Sequence, residues 1–122
     1  MNKKVLIIEN YPLVREVLVE FFKLCNYQCE INTSSLKSYY DYNFIVADYT
    51  SIKQLNLVET IMEISHHKPV IITVAAGAIE EKHLREKAKI IPKPFSFDDF
   101  KKFLNCDDEG FHKERQQNSL TH

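Results

Sequence analysis

Three short apolar runs, each closing on a polar residue, constrain this chain more than any other feature. Val5-Leu6-Ile7-Ile8 runs into Glu9-Asn10, Phe44-Ile45-Val46-Ala47 into Asp48, and Ile90-Ile91-Pro92 into Lys93-Pro94. Runs of this length, interleaved with helical patterns, read as strands of a parallel sheet buried on both faces. In open α/β sheets the ligand crevice lies beyond the carboxyl ends of the strands. The pattern therefore sets two carboxylates, an amide and a lysine on one rim.

The rest of the chain alternates in the same way. Residues 4–8 read as the first strand. Pro12 suits the first turn of a helix, where its missing N–H costs nothing. Leu13, Val14, Val17, Leu18, Phe21 and Leu24 follow at helical spacing, and Asn26 is a stop signal. Tyr27–Asn32 alternates as a second strand, and Thr33-Ser34-Ser35 can cap a short helix over 36–40. A strand over 43–47 precedes Asp48, and a single helix is predicted over 52–65, ending on His66-His67-Lys68. Pro69 opens a strand over 70–74. A charged helix over 78–88 and a strand over 89–91 follow. Ser96 and Asp99 have capping-box spacing, with Phe97, Phe100, Phe103 and Leu104 as the inward face of a last helix. A β-α unit repeated five times predicts right-handed crossovers and a doubly wound, three-layer α/β/α sandwich with a five-stranded parallel sheet.

The bulk numbers fit one domain over 1–105, followed by a frayed polar tail over 106–122. Net charge near −1 offers no field to attract nucleic acid or anionic lipid, so neither is an expected partner. No stretch has the length of a membrane span, and Met1-Asn2-Lys3-Lys4 leads into a strand rather than a signal sequence. Cys25, Cys29 and Cys106 are odd in number and lack metal-site spacing, which reads as reduced thiols in a cytoplasmic protein. His66 and His67 read as a solvated loop pair away from the rim. With only two glycines, a Gly-rich phosphate loop is excluded, and the missing Gly-rich or Ser/Thr-rich loop after the first strand argues against a third reading, a flavodoxin-like redox or nucleotide enzyme.

In their order and context, these pieces resemble the response-regulator receiver domain of two-component signalling, in an atypical form. The match runs over about residues 3–104. Val5–Arg15 is similar to the family's first strand, acidic pair and following helix. Phe44–Asp48 is similar to the strand ending on the phosphorylated aspartate, Pro69–Ile72 to the fourth strand, and Lys93-Pro94-Phe95 to the end of the fifth. The resemblance implies a flavodoxin-like strand order, 2-1-3-4-5, and a cis Lys93–Pro94 bond.

It also implies a phosphoacceptor at Asp48, with Lys93 on the phosphoryl oxygens. Mg²⁺ would be held by Glu9, Asn10, Asp48 and the backbone carbonyl of Thr50. A hard cation with oxygen ligands neutralises the charge that a transferred phosphoryl group spreads over its oxygens. Asn10 stands where the family usually has a second acid. Losing one charge at ~4 Å with an effective dielectric of ~20 removes roughly 4 kcal/mol of gross attraction, so the ion is expected to bind weakly. At the family's switch positions stand Val74, where a hydroxyl is usual, and Ile90, where an aromatic is usual. Thr73 is one residue off, which turns its side chain to the other face of the strand.

The function implied is a stand-alone receiver-like signalling protein. It would take a phosphoryl group on Asp48 from a histidine kinase or phosphotransfer protein, and act through a downstream protein or a homodimer. It is not expected to be an enzyme beyond its own phosphorylation and dephosphorylation. Asn10, Val74 and Ile90 motivate the alternative, a pseudo-receiver that binds protein partners independently of phosphorylation.

Overall fold

Period-two alternation inside the apolar runs sorts their side chains onto two faces of a sheet, and helices cover both. The computed structural model describes residues 3–31, 39–75 and 77–104. Its strands are β1 (Lys3–Ile8), β2 (Tyr27–Ile31), β3 (Phe44–Asp48), β4 (Val70–Val74) and β5 (Lys89–Pro92). They pair in parallel in the order β2-β1-β3-β4-β5, the order expected. The helices are α1 (Pro12–Leu24), α2 (Tyr49–Gln54), α3 (Val58–Ser65), α4 (Lys82–Lys87) and α5 (Phe97–Lys101).

On one face Leu6, Ile8, Ile45, Ala47 and Ile72 pack with Ile61 and Ile64 of α3 and Leu84 of α4. On the other, Val5, Ile7, Val46 and Ile71 pack with Leu18 and Phe22 of α1 and Phe100 of α5. Each such aliphatic side chain, fully buried, contributes about 1.5–3 kcal/mol of transfer free energy. The double burial explains why these strands are continuously apolar. It also explains why a polar residue at a strand end marks where the cover stops.

Four helical expectations are corrected. The helix predicted over 52–65 is two helices, broken at Asn56, whose φ is 57°. The Asn56 N–H bonds to the Lys53 carbonyl at 3.2 Å and the Leu57 N–H to the Ile52 carbonyl at 2.8 Å. This is a Schellman close, with Leu57 and Ile52 sharing the same apolar cluster. Asparagine tolerates the left-handed conformation where a β-branched residue does not. Asn56→Val is therefore expected to lower stability by about 1–2 kcal/mol, while Asn56→Gly stays near the parent. Thermal denaturation of the two variants checks this.

In α1 the inward stripe is rotated from the expected one. Leu18 and Phe22 are buried, but Leu13 is 77% exposed and Val17 and Leu24 also face solvent. Leu13-Val17-Leu24 and Leu18-Phe22-Cys25 are both acceptable helical stripes, and only docking on the sheet chooses between them. In the last helix Phe100 and Leu104 are buried, while Phe103 is exposed beneath the Lys89 ammonium. The fourth helix starts at Lys82 rather than 78, leaving Ile79 buried in the preceding loop.

Other local signals hold. Pro12 opens α1, Asn26 closes it at φ 65°, and the Asp99 carboxylate accepts the Ser96 N–H at 2.8 Å. Of the helix expected over 36–40, Tyr39–Asp41 is a single 3-10 turn. Positions 36–38 and the tail over 106–122 lie outside the described residues. Cys29 is a free thiol, but Cys25 is disulfide-bonded, so the expectation of reduced thiols fails there.

Candidate functional site

The carboxyl ends of β1, β3 and β5 bring Glu9, Asp48 and Lys93 into direct contact. Lys93 Nζ lies 2.7 Å from Glu9 Oε1 and 2.9 Å from Asp48 Oδ1. Glu9 is fully buried and Asp48 nearly so, while the Lys93 side chain is 16% exposed. Lys93 is placed by its own N–H, which bonds the Val74 carbonyl at 2.7 Å, and by the cis Lys93–Pro94 peptide. Desolvation pulls the Lys93 pKa down, but hydrogen bonding and charge attraction from Glu9 and Asp48 outweigh it and raise it above the ordinary lysine value.

Asp48 has a second role, the helix cap that an aspartate at a strand end can also supply. It is the N-cap residue of α2, which begins at Tyr49 with no intervening loop. Asp48 Oδ2 accepts the Ser51 N–H at 2.9 Å and the Ser51 hydroxyl at 2.7 Å. Ser51 Oγ in turn accepts the Asn10 N–H at 2.9 Å and lies 3.4 Å from Glu9 Oε2. Buried Ser51 thus ties the β1 end to the β3 end. A usable signal was present: Asp48 and Ser51 are spaced as an N-cap and its N3 residue.

The other expected residues are placed differently. Asn10 is exposed, and its side-chain N–H donates to Gln54 Oε1 at 2.9 Å. Thr50 lies in the first turn of α2, so its carbonyl points along the helix toward the C-terminus and away from Asp48. Val74 packs into the cluster beside α3 and α4, and Ile90 is 38% exposed on β5. Thr73 sits in register with Asp48, fully buried, its hydroxyl without a hydrogen-bond partner among the described residues. Neither Thr73 nor Val74 lines the small cleft of about 100 Å³ over the carboxylates. Asn10, Asp48, Thr50, Ser51, Gln54 and Lys93 are among the residues that do.

These contacts test the residues against a magnesium ion, which takes near-octahedral oxygen ligands. Glu9 Oε1 is taken by Lys93, and Oε2 accepts the Tyr11 N–H at 3.2 Å. Asp48 Oδ2 holds two hydrogen bonds from Ser51, and the Thr50 carbonyl is turned away. Among the described residues Asp48 Oδ1 accepts no hydrogen bond, its close contact being the Lys93 ammonium, and the Asn10 bond to Gln54 uses its N–H and leaves its amide oxygen open. As arranged, the set leaves a cation two open side-chain oxygens, Asp48 Oδ1 and the Asn10 amide oxygen, with the Lys93 ammonium beside the first. The ammonium of Lys93 stands between the two carboxylates and supplies the positive charge they need.

His66 and His67 are exposed at the end of α3, far in the fold from this rim, as expected. His66 packs on His83 of α4 with ring centroids 4.4 Å apart. Among the described residues, no cluster of three or more His, Cys, Asp or Glu is arranged to hold a metal. No helix there is long and apolar enough to cross a membrane.

No protein-family model matches the chain, and no curated protein sequence matches it. Solved structures do. The response regulator receiver domain protein (CheY-like) of Methanospirillum hungatei JF-1 superposes with a TM-score of 0.66 at 15% identity, over 95% of this chain and 99% of that one. The signal receiver domain of a putative Luxo repressor protein from Vibrio parahaemolyticus gives 0.65 at 16%, over 100% and 99%. HP1043, described as an orphan response regulator of H. pylori, gives 0.60 at 20%, over 80% and 89%. The chain therefore has the fold of response-regulator receiver domains.

Proposed function

We propose that this chain is a receiver-fold signalling module that binds a protein partner without phosphorylation of Asp48. One observation carries the reading: the carboxylate at the phosphoacceptor position is committed to structure. One oxygen caps α2 through Ser51, and the other faces the ammonium that also neutralises buried Glu9. Placing a phosphoryl group there would displace the Lys93 contact or the cap as they stand, and both Glu9 oxygens are already engaged, by Lys93 and by the Tyr11 N–H. A protein partner is favoured over nucleic acid or a membrane surface by the net charge of −1.

The competing reading is phosphoryl transfer to Asp48 from a histidine kinase or phosphotransfer protein, with Mg²⁺ bound. It draws on Asp48 Oδ1, a buried oxygen without a hydrogen bond and beside a lysine. Incubation with Mg²⁺ and acetyl phosphate, followed by intact-mass measurement, separates the two. The expected result is no phosphoryl adduct. A near-stoichiometric adduct that Asp48→Asn abolishes would establish the competing reading instead.

A further inference from the structure

Asp48 and Tyr49 are consecutive, yet their side chains reach opposite sides of the site. Asp48 caps α2 through Ser51. The buried Tyr49 ring shares the apolar cluster of Ile52, Ile79 and Leu84, and its hydroxyl donates to Glu81 Oε1 at 2.6 Å. The same hydroxyl accepts the Glu80 N–H at 3.2 Å. Glu81 is the N-cap residue of α4. One side chain in the first turn of α2 therefore holds both the approach to α4 and its N-cap residue.

α4 needs that hold. It has six residues, and a helix so short is unstable without tertiary ties because its nucleation is unfavourable. Its cap has no side-chain hydrogen bond of its own among the described residues. The ties present are buried Leu84, the bond from Arg85 Nη1 to the Ile79 carbonyl at 3.2 Å, and Tyr49. The Lys53 ammonium, 5.0 Å from the Tyr49 ring centroid, fixes the ring from the α2 side.

We propose that Tyr49 is a latch that couples the capping state of Asp48 to the start of α4. While Asp48 caps α2 through Ser51, the first turn of α2 is fixed and the Tyr49 hydroxyl meets Glu80 and Glu81. Anything that competes for the Asp48 carboxylate shifts Tyr49 and releases the loop over 77–81 and the first turn of α4. The switch positions Val74 and Ile90 carry no hydrogen-bonding side chain, so this route bypasses them.

The inference stands whether or not Asp48 is ever phosphorylated, and its test uses neither phosphodonor nor partner. Amide hydrogen exchange on the full chain reads it. Tyr49→Phe keeps the ring and removes the hydroxyl, and is expected to raise exchange over 80–87 by roughly tenfold while β1 stays protected. Glu81→Ala should give the same local rise from the other end of the bond, and it carries the test if Tyr49→Phe also loosens β1. Ser51→Ala, which removes the hydroxyl bond to Asp48 and leaves the cap on the backbone N–H alone, should raise exchange over 80–87 in the parent but add little in the Tyr49→Phe background. Unchanged exchange over 80–87 in both latch variants would overturn the proposal. So would a Ser51→Ala effect that is equally large with and without the Tyr49 hydroxyl.

Discussion

Replacing Lys93 with methionine is expected to lower stability by about 3–5 kcal/mol, because it leaves two buried carboxylates without a counter-charge. Glu9 is wholly buried, and its Oε1 has Lys93 as its hydrogen-bond partner at 2.7 Å. Asp48 Oδ1 has only the same ammonium. A loss of that size is a large share of the roughly 5–15 kcal/mol that holds a domain folded. The urea midpoint should fall accordingly, and Glu9→Gln added to Lys93→Met should restore part of it. A Lys93→Met midpoint within experimental error of the parent would show that the triad is solvated and carries little energy.

The pH dependence of the same contact has a definite sign. The folded pKa of Lys93 is raised above its unfolded value. Its contribution is therefore fully present below the ordinary lysine pKa of ~10.4 and is lost as pH rises through the folded value. Tyr42, pushed up to about 12 by burial and by its hydrogen bond to Glu30, loses its contribution in the same alkaline direction. The parent should hold its stability through neutral pH and fall on the alkaline side, and Lys93→Met should flatten that fall.

Phe22→Ala is expected to cost about 3–5 kcal/mol through lost burial and the cavity left behind. Phe22 is fully buried, with its ring centroid 5.3 Å from Phe44, 5.8 Å from Tyr27 and 6.0 Å from Phe100. It joins α1, β2, β3 and α5 at one point, so little of the void can collapse. Leu13→Ala, on the exposed side of the same helix, should stay within about 0.5 kcal/mol. Chemical denaturation of the pair measures the contrast. Similar losses at both positions would mean that α1 docks through the other stripe.

The strands and the doubly wound architecture were legible in the residues, and the strand order in the resemblance to receiver domains. Apolar runs bounded by turn signals are local information, and parallel strands joined by helices leave few topologies. Asp48, Glu9 and Lys93 were legible as one rim for the same reason, since each ends a buried run. Less was legible where two local patterns compete. The Leu13 and Leu18 stripes of α1 have nearly the same spacing. In 52–65 the apolar period continues past Asn56, hiding a break that depends on one left-handed residue.

What the sequence by itself determined is the scaffold and the identity of the charged rim. Alternation and strand-end polarity are encoded residue by residue, and burial on both faces tolerates little else. Only the tertiary structure decided how that rim is wired. Lys93 reaches Glu9 across 84 positions, Ser51 spans from Asp48 to the backbone of Asn10, and Tyr49 reaches Glu81. In a nearly dry rim a polar group takes whichever partner the fold sets within about 3 Å, because leaving it unpaired costs more than most local preferences are worth. Local sequence does not contain those distances.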